Sequence, residues 1–205
     1  MASVQKYAET AVVNILRHNS REVQNPSNKD INPDKYNKNY KLSPERDISD
    51  YSYYKERLSQ LYRYGRADVK TLCGWVVTAP KDLPIEKHLS FFHETYNFLE
   101  NRYGRENTVQ AIVHNDESGQ PHLHYCFIPA APNTNPRHQQ AEKVCANDIL
   151  NRAELRDFHP ALEKHLRNAG ISARILNGAT AGGNRTVTQL KHSREHERGR
   201  GLFLR

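Results

Sequence analysis

Residues 114–124 read HNDESGQPHLH, and the apolar residues on both sides of this stretch predict a β-hairpin. A seven-residue connection, 115–121, would join the two strands. His122 and His124 are two residues apart, so their side chains share one face of a strand. If His114 lies opposite His122, it joins the same face, and three imidazoles converge on one point.

Three neutral imidazoles are suitable ligands for a borderline divalent cation, and they leave coordination positions open for a substrate. The pattern therefore predicts a site of His114, His122 and His124 for Mn²⁺ or Zn²⁺, and less readily for Mg²⁺. Glu117 is a candidate fourth ligand, base or orienting group, and Asp116 is a candidate brace for the loop. The competing interpretation is a surface hairpin whose histidines are incidental.

The composition favours a globular protein with a polyanionic partner. The 205 residues carry a net charge of +7, which indicates nucleic acid first and an anionic membrane surface second. No apolar run approaches the roughly 18 residues of a membrane span, and the N-terminus lacks the pattern of a secretory signal. Cys73, Cys126 and Cys145 form no CxxC pair, so we expect a reducing cytoplasm. Cys126 has the strand parity of His124, but a buried structural thiol is the favoured interpretation.

Hydrophobic spacing and turn residues divide the chain into helices, strands and loops. The predicted strands are 2–7, 71–79, the two arms of the hairpin and 171–176; the predicted helices are 9–22, 48–66, 85–103 and 147–169; the predicted loops are 23–47 and 130–146. Asn147 is the expected cap of the last helix, whose buried side is expected to include Leu155, and Gly170 its end. Because crossover helices do not follow the strands regularly, the prediction is an α+β fold, an antiparallel sheet covered by helices.

His18, in the stretch RHNSRE, is a second candidate for chemistry. A neutral imidazole can act as a nucleophile toward phosphorus or as a general base. Arg21 follows three residues later, on the same face of the predicted helix, and could orient a phosphate through a forked pair of hydrogen bonds. From the residues alone, a surface histidine at a helix end is the stronger interpretation.

The stretch 28–40, NKDINPDKYNKNY, is a candidate DNA-binding loop, although a solvated loop explains its composition equally well. Its lysines can meet phosphates, its asparagines can meet phosphates or base edges, and Tyr36 and Tyr40 could stack on bases or attack a phosphodiester. The candidate DNA-binding residues of the whole chain are Arg17, Lys29, Asn32, Arg63, Arg66 and Lys191.

Four stretches together resemble the Pre/Mob group of plasmid mobilisation and recombination proteins, the V-type conjugative relaxases of the HUH endonuclease superfamily. They are HNSRE at 18–22, the loop 28–40, the histidine hairpin 114–124, and TVTQLK at 186–191. The resemblance covers nearly the whole chain. One departure is a connection between the acidic pair and the second histidine that is one residue longer than the family pattern, and a hairpin loop can absorb it.

The resemblance implies a metal-dependent relaxase, with Mn²⁺ as the preferred ion and Mg²⁺ as the alternative. Such an enzyme recognises an origin of transfer as hairpin and single strand, nicks one strand and stays joined to the 5′ end. The family role of nucleophile falls on His18, with Tyr40 as the rival, and His114, His122 and His124 hold the metal. Arg21 and Lys29 would fix the phosphate, and Glu117 would accept a hydrogen bond from His18 or from the metal shell.

The resemblance also implies a domain arrangement. Residues 1–190 would form the relaxase domain, and 191–205 a basic tail or linker. Family members are longer, so a further C-terminal region for dimerisation or membrane contact is expected, while no membrane contact is expected from this segment.

Three other functions compete with this one. A replication initiator or transposase of the same superfamily would share the metal hairpin, and only the His18 and 28–40 motifs argue against it. A non-enzymatic DNA-binding protein would bind DNA without cleaving it. A metal hydrolase such as a peptidase would need no basic surface, and the sequence has no HExxH motif.

Overall fold

A computed structural model describes residues 2–23 and 28–175 of the chain. Its strands are β1 (Ala2–Ala8), β2 (Tyr40–Lys41), β3 (Lys70–Thr78), β4 (Thr108–His114), β5 (His122–Phe127), β6 (Ala130–Pro132) and β7 (Glu142–Val144). Its α-helices are α1 (Glu9–Asn19), α2 (Asp50–Ser59), α3 (His88–Tyr103), α4 (Ala146–Ile149) and α5 (Arg152–Asn168). Short 3₁₀ helices cover Pro33–Lys38, Ile85–Lys87 and Arg105–Asn107.

Five of the strands form one antiparallel sheet in the order β1-β3-β5-β4-β2. The β-branched and apolar stretch in β3 and the hairpin strand β5 lie next to each other at its centre, as expected of segments that are buried on both faces. Helices cover the sheet, so the predicted α+β class is confirmed.

Each face of the sheet carries its own apolar core. On one face, Trp75 of β3 stacks on Phe158 of α5 with ring centroids 3.6 Å apart, and buried aromatic residues of α3 complete this layer. On the other face, Leu16 of α1 and Leu58 of α2 pack over Leu72. Because side chains alternate along a strand, the histidines of the hairpin lie on the second face, the one that α1 covers.

Several predicted elements differ in the structure. The predicted last helix is interrupted at Leu150 and resumes as α5. The cap of α5 is Asn151, whose side chain accepts a hydrogen bond from the backbone amide of Glu154. Asn147, the predicted cap, instead accepts a hydrogen bond from the side chain of Lys6 at 2.9 Å. Leu155, expected on the buried side of this helix, is 40% exposed.

Other boundaries also shift. The helix predicted to reach residue 66 ends at Ser59, and the helix predicted over 85–103 begins with a 3₁₀ turn before α3. Residues 171–175 form no strand, and the predicted loop 130–146 contains the small sheet β6–β7. Gly170, with a φ of 77°, follows the end of α5 as predicted. Among the described residues, no helix has both the length and the apolar character needed to cross a membrane.

Candidate metal and nucleophile site

The three histidines of the hairpin converge as their spacing predicts. His114 pairs directly with His122 across β4 and β5, and His124 lies on the same face. The ring centroids are 5.4 Å apart for His114 and His122, 4.5 Å for His114 and His124, and 4.9 Å for the two histidines of β5. One ring nitrogen from each residue lies within 4.8 Å of the other two, so the donor set fits one divalent ion.

The surroundings keep two of these imidazoles, those of His114 and His124, neutral. Burial, with the nearby charge of Arg21, lowers the pKa of His114 to about 3. Burial and the neighbouring histidines hold the pKa of His124 well below its usual range. A neutral imidazole has a free lone pair for a cation, so both residues are available as ligands at pH 7.

Hydrogen bonds orient two of the three rings. The Nε2 atom of His114 donates to the carbonyl oxygen of Asn19 at 2.8 Å, which leaves the lone pair on Nδ1. That lone pair accepts from Nη2 of Arg21 at 3.0 Å, so coordination through Nδ1 would replace this bond. The Nδ1 atom of His122 lies 3.1 Å from the carbonyl oxygen of Gln120, and its Nε2 is 3.9 Å from Glu117.

Arg21 reaches the histidines because the chain turns sharply after α1. The helix ends at Asn19, so the prediction of a helical face shared by His18 and Arg21 is wrong. Arg21 has a φ of 59°, the amide of Arg21 donates to the carbonyl of His18, and the amide of Glu22 donates to that of Arg17. These bonds form a Schellman-type helix end, in which arginine occupies the left-handed position that usually belongs to glycine.

The side chain of Arg21 connects the end of α1 to the acidic pair of the hairpin. Its Nε and Nη2 donate to the two carboxylate oxygens of Asp116 at 2.7 and 2.8 Å, and Nη2 also donates to Glu117 at 2.9 Å. Asp116 is 0% exposed and Arg21 only 6%. Burial alone would raise the pKa of Asp116, but the hydrogen bonds from Arg21 bring that pKa below its usual value. Arg21 therefore braces the hairpin loop in this arrangement.

His18 belongs to the same electrostatic environment as the three histidines. It occupies the last turn of α1, on the side of the sheet that carries them. Burial and the charge of Arg21 lower the pKa of His18, partly offset by Glu117 and Asp116. The imidazole is therefore neutral and nucleophilic at pH 7.

Tyr40, the rival nucleophile, lies on the other face of the sheet. It pairs with Val113 in the register of β2 and β4, and directly opposite residues share a face. Tyr40 packs against the core that α3 and α5 cover. Burial also raises the pKa of its hydroxyl to about 12, which disfavours a phenolate at pH 7.

The loop after α1 is tied to the hairpin. The backbone amide of Asn32 donates to the carbonyl of Asp116 at 2.8 Å, and Ile31 forms a β-bridge with Glu117. The side chain of Asn32 caps the 3₁₀ helix Pro33–Lys38, while Lys29 is exposed. Part of the predicted DNA-binding loop therefore lies beside the site.

The remaining candidate DNA-binding residues are more widely spread. Arg17 is 55% exposed and adjacent to His18. Arg63 forms an ion pair with Glu9 at the opposite end of α1, and Arg66 is 72% exposed and pairs with Asp68. Lys191 lies outside the described residues, as do the TVTQLK motif and the predicted domain boundary at residue 190.

Sequence reasoning missed Asn19. This residue is 2% exposed, its carbonyl orients His114, and its side chain donates to the thiol of Cys126 at 3.4 Å. Cys126 itself is buried, with its pKa raised by burial to about 12, as expected of a structural thiol. The position of this asparagine directly after the candidate nucleophile was the available signal in the sequence. The residue type alone predicts neither the hydrogen bond to His114 nor the one to Cys126.

A histidine hairpin on an antiparallel sheet, with a further histidine from the first helix on the same side, can hold one divalent ion next to a neutral imidazole. The chain belongs to the Mob/Pre family of plasmid recombination enzymes, whose family model matches residues 1–192.

Individual relatives agree with this membership. A plasmid recombination enzyme of Bacillus thuringiensis is 31% identical over 173 residues, which are 82% of this chain and 37% of the relative. One from Streptococcus agalactiae is 27% identical over 94% of this chain and 39% of its own length. The chain thus spans about two-fifths of the length of these curated relatives.

A solved structure is similar over nearly the whole chain. It is the MobM relaxase domain bound to plasmid pMV158 oriT DNA, in a Mn-bound crystal structure. It has a TM-score of 0.74 and 27% identity, over 94% of this chain and 97% of that one.

Proposed function

We propose that this chain is a metal-dependent DNA relaxase, which nicks one strand at an origin of transfer and retains the 5′ end on His18. The observation that carries the proposal is the position of His18 on the same face of the sheet as His114, His122 and His124. Tyr40 packs on the opposite face, which favours the histidine as nucleophile.

The proposed reaction is an in-line displacement at phosphorus. The neutral ring nitrogen of His18 attacks the scissile phosphate, and a bond from nitrogen to phosphorus forms while the bond from phosphorus to the 3′ oxygen breaks. The 3′ oxygen takes up a proton from solvent and leaves as a hydroxyl, while the phosphorylated ring of His18 loses to solvent the proton on its other nitrogen. A strand with a free 3′ hydroxyl can then reverse the step and release His18.

The three imidazoles can hold a borderline divalent ion, and we take this ion to be Mn²⁺, with Mg²⁺ as the alternative, because the similar MobM structure is Mn-bound. When bound, the ion would neutralise the charge that develops on the non-bridging oxygens of the phosphate. The carbonyl of Asn19 holds the ring of His114 for this purpose.

Arg21 and Glu117 are proposed as the remaining catalytic residues. Arg21 directs Nε and Nη2 to carboxylates, so Nη1, 3.5 Å from the carbonyl of His18, is the nitrogen best placed for a phosphate oxygen. Glu117 is 2.9 Å from Arg21 and 3.9 Å from His122, at the edge of the metal shell. It can accept a hydrogen bond from the N–H of the neutral His18 ring or from a water molecule there.

The proposed substrate is origin-of-transfer DNA of a plasmid or another mobile element, recognised as hairpin and single strand. Arg17, next to His18 in the chain, and Lys29 and Asn32, in the loop that is tied to the hairpin, would contact the strand that is cut. Arg63 and Arg66 would contact DNA farther away, and Lys191 is proposed on the resemblance alone. The DNA-bound MobM structure supports this substrate. We place the reaction in the bacterial cytoplasm, where plasmid DNA resides.

The test is a nicking assay on supercoiled plasmid that carries a candidate origin, with Mn²⁺ or with EDTA. We expect nicked circles with Mn²⁺ only. His18→Ala should slow nicking by about 10³-fold or more, whereas Tyr40→Phe and the exposed control His93→Ala should act like the wild type. Binding without cleavage, unaffected by EDTA, would instead identify a non-enzymatic DNA-binding protein.

A further inference from the structure

The part of the chain that the structure describes leaves one corner of the histidine-bearing sheet face open. Val76 of β3 pairs with His124, and Ser3 of β1 pairs with Val76, so these three side chains share that face. Gln5 and Thr78 are the next residues on this face along the same two strands. In this open corner, formed by Ser3, Gln5, Val76 and Thr78, the two residues of β1 are exposed and the two of β3 are partly buried.

The course of α1 over the sheet explains why this corner is open. Leu16 packs with Leu72 and Cys126, which lie farther along β3 and β5 and are buried. The end of α1 then lies over β4, because the carbonyl of Asn19 is bonded to the ring of His114. The open corner therefore extends from the histidines toward β1, on the side of the site that α1 does not cover.

Gln5 presents hydrogen-bond donors in the open corner. The hydroxyl of Tyr7 donates to Oε1 of Gln5 at 2.9 Å. Burial raises the pKa of Tyr7 to about 12, so this hydroxyl keeps its proton at pH 7. The bond engages Oε1 and orients the amide, and the structure shows no hydrogen-bond partner for Nε2 in residues 2–23 and 28–175. The two N–H groups of Nε2 are therefore the groups that Gln5 offers to a ligand.

The open corner lies close enough to the metal and nucleophile site to receive an adjoining nucleotide. Neighbouring strands are about 4.8 Å apart and alternate residues about 6.8 Å apart along a strand, so the Cα atoms of Gln5 and His124 are about 12 Å apart. The four residues of the corner carry hydroxyl and amide groups and no carboxylate. Such groups contact the phosphates, sugars and bases of DNA, and a surface without negative charge does not repel the strand.

We propose that the open corner holds the nucleotide next to the scissile phosphate, and that Gln5 selects a base with a keto group there. The proposal rests on the proposed function. The Nε2 donors bond the keto oxygen of guanine or thymine, whereas adenine and cytosine present an amino donor at the corresponding position. Tyr7 maintains this choice by engaging Oε1, because a glutamine whose Oε1 is free can pair with adenine through both ends of its amide. Gln5 is thereby a specificity-determining residue, and Tyr7 is a positioning residue.

The test selects binders from a randomised single-stranded 20-nucleotide DNA library, which requires no known origin. We expect the wild type to prefer guanine or thymine at one position. Gln5→Glu replaces the donors by an acceptor and should reverse that preference toward adenine or cytosine, with a change of about tenfold. Tyr7→Phe should relax the preference by admitting adenine. Gln139→Glu, the same change at an exposed site between β6 and β7, should keep the wild-type preference.

Four results would overturn all or part of the proposal. If Gln5→Glu keeps every wild-type preference, Gln5 reads no base, and nicking of origin DNA by the wild type would leave the proposed function intact. If Gln5→Glu weakens binding without changing any preference, the open corner contacts only the backbone of the strand. If Tyr7→Phe keeps the wild-type preference, Tyr7 does not position Gln5. If the wild type enriches no sequence, base selection fails, and the nicking assay decides separately on the relaxase.

Discussion

Replacing Arg21 by glutamine should destabilise the fold strongly at neutral pH. The change removes three hydrogen bonds to carboxylates and leaves Asp116, which is 0% exposed, without its cation. Breaking a buried ion pair by removing one partner costs about 3–5 kcal/mol. For a domain of this size, each kcal/mol lowers Tm by about 2–4 °C, so the expected fall is about 6–20 °C. Glutamine has the same left-handed backbone strain as arginine, so the variant isolates the loss of the guanidinium.

The pH dependence gives a second signature of the same contact. In the wild type, the pKa of Asp116 is below its usual value, so its stabilising contribution is complete above about pH 4 and is lost as the pH falls through the folded pKa. In Arg21→Gln, burial without a cation raises that pKa. The variant should therefore be most impaired near pH 7, and the difference in stability should narrow as the pH falls toward 4.

Urea denaturation at several pH values measures both effects. The control is Arg17→Gln, because Arg17 is 55% exposed and its nearest carboxylate, on Glu22, is 4.0 Å away; it should change stability by less than about 0.5 kcal/mol. Asp116→Asn combined with Arg21→Gln should recover part of the loss, because the buried charge is then gone. A loss below about 1 kcal/mol for Arg21→Gln, unchanged with pH, would refute the brace between the end of α1 and the hairpin.

Three further perturbations test the site and the fold. Mn²⁺ at a hundred times its Kd should stabilise the wild type by about 2.7 kcal/mol in thermal melts, and His124→Ala should lose this shift; an equal shift in both would place the ion elsewhere. Gly104→Ala should cost about 1–2 kcal/mol in urea denaturation, because φ is 91° and a Cβ would lie 2.6 Å from Oε1 of Glu106 and 2.7 Å from the side-chain Nδ2 of Asn107; unchanged stability would contradict this. Phe158→Ala, at a fully buried ring stacked on Trp75, should cost about 3–5 kcal/mol in the same assay, against under about 1 kcal/mol for Leu155→Ala; equal losses would be inconsistent with the packing of α5.

The hairpin was predictable because two short-range rules govern it. Alternation along a strand places His122 and His124 on one face, and symmetric apolar arms place His114 opposite His122. Apolar residues at three- and four-residue spacing indicate α1 and α3, and apolar runs indicate the central strands, and together they give the α+β class.

The end of α1 could not be predicted in the same way. Its left-handed residue is an arginine, so the glycine that usually marks a helix end is missing. The hydrogen bonds that compensate the backbone strain at Arg21 are made with Asp116 and Glu117, some 95 residues away in the chain. Local propensity contains no information about such a contact.

Two other features depended on long-range packing. The strands β6 and β7 are three residues each and lie in a proline- and asparagine-rich stretch, so their pairing leaves no periodic signal. Residue type allows either His18 or Tyr40 as the nucleophile, and the resemblance assigned the role to His18 with Tyr40 as its rival. Only the register of β2 against β4 places Tyr40 on the face away from the histidines.

The central claim is a covalent link between His18 and the 5′ phosphate of the nicked strand. The most direct measurement is to react the chain with an oligonucleotide that contains the nick site, digest the adduct under neutral conditions and locate the phosphate by mass spectrometry. The account predicts an acid-labile phosphoramidate on His18, formed equally by Tyr40→Phe and absent from His18→Ala. An acid-stable phosphate on Tyr40, retained in His18→Ala, would contradict it.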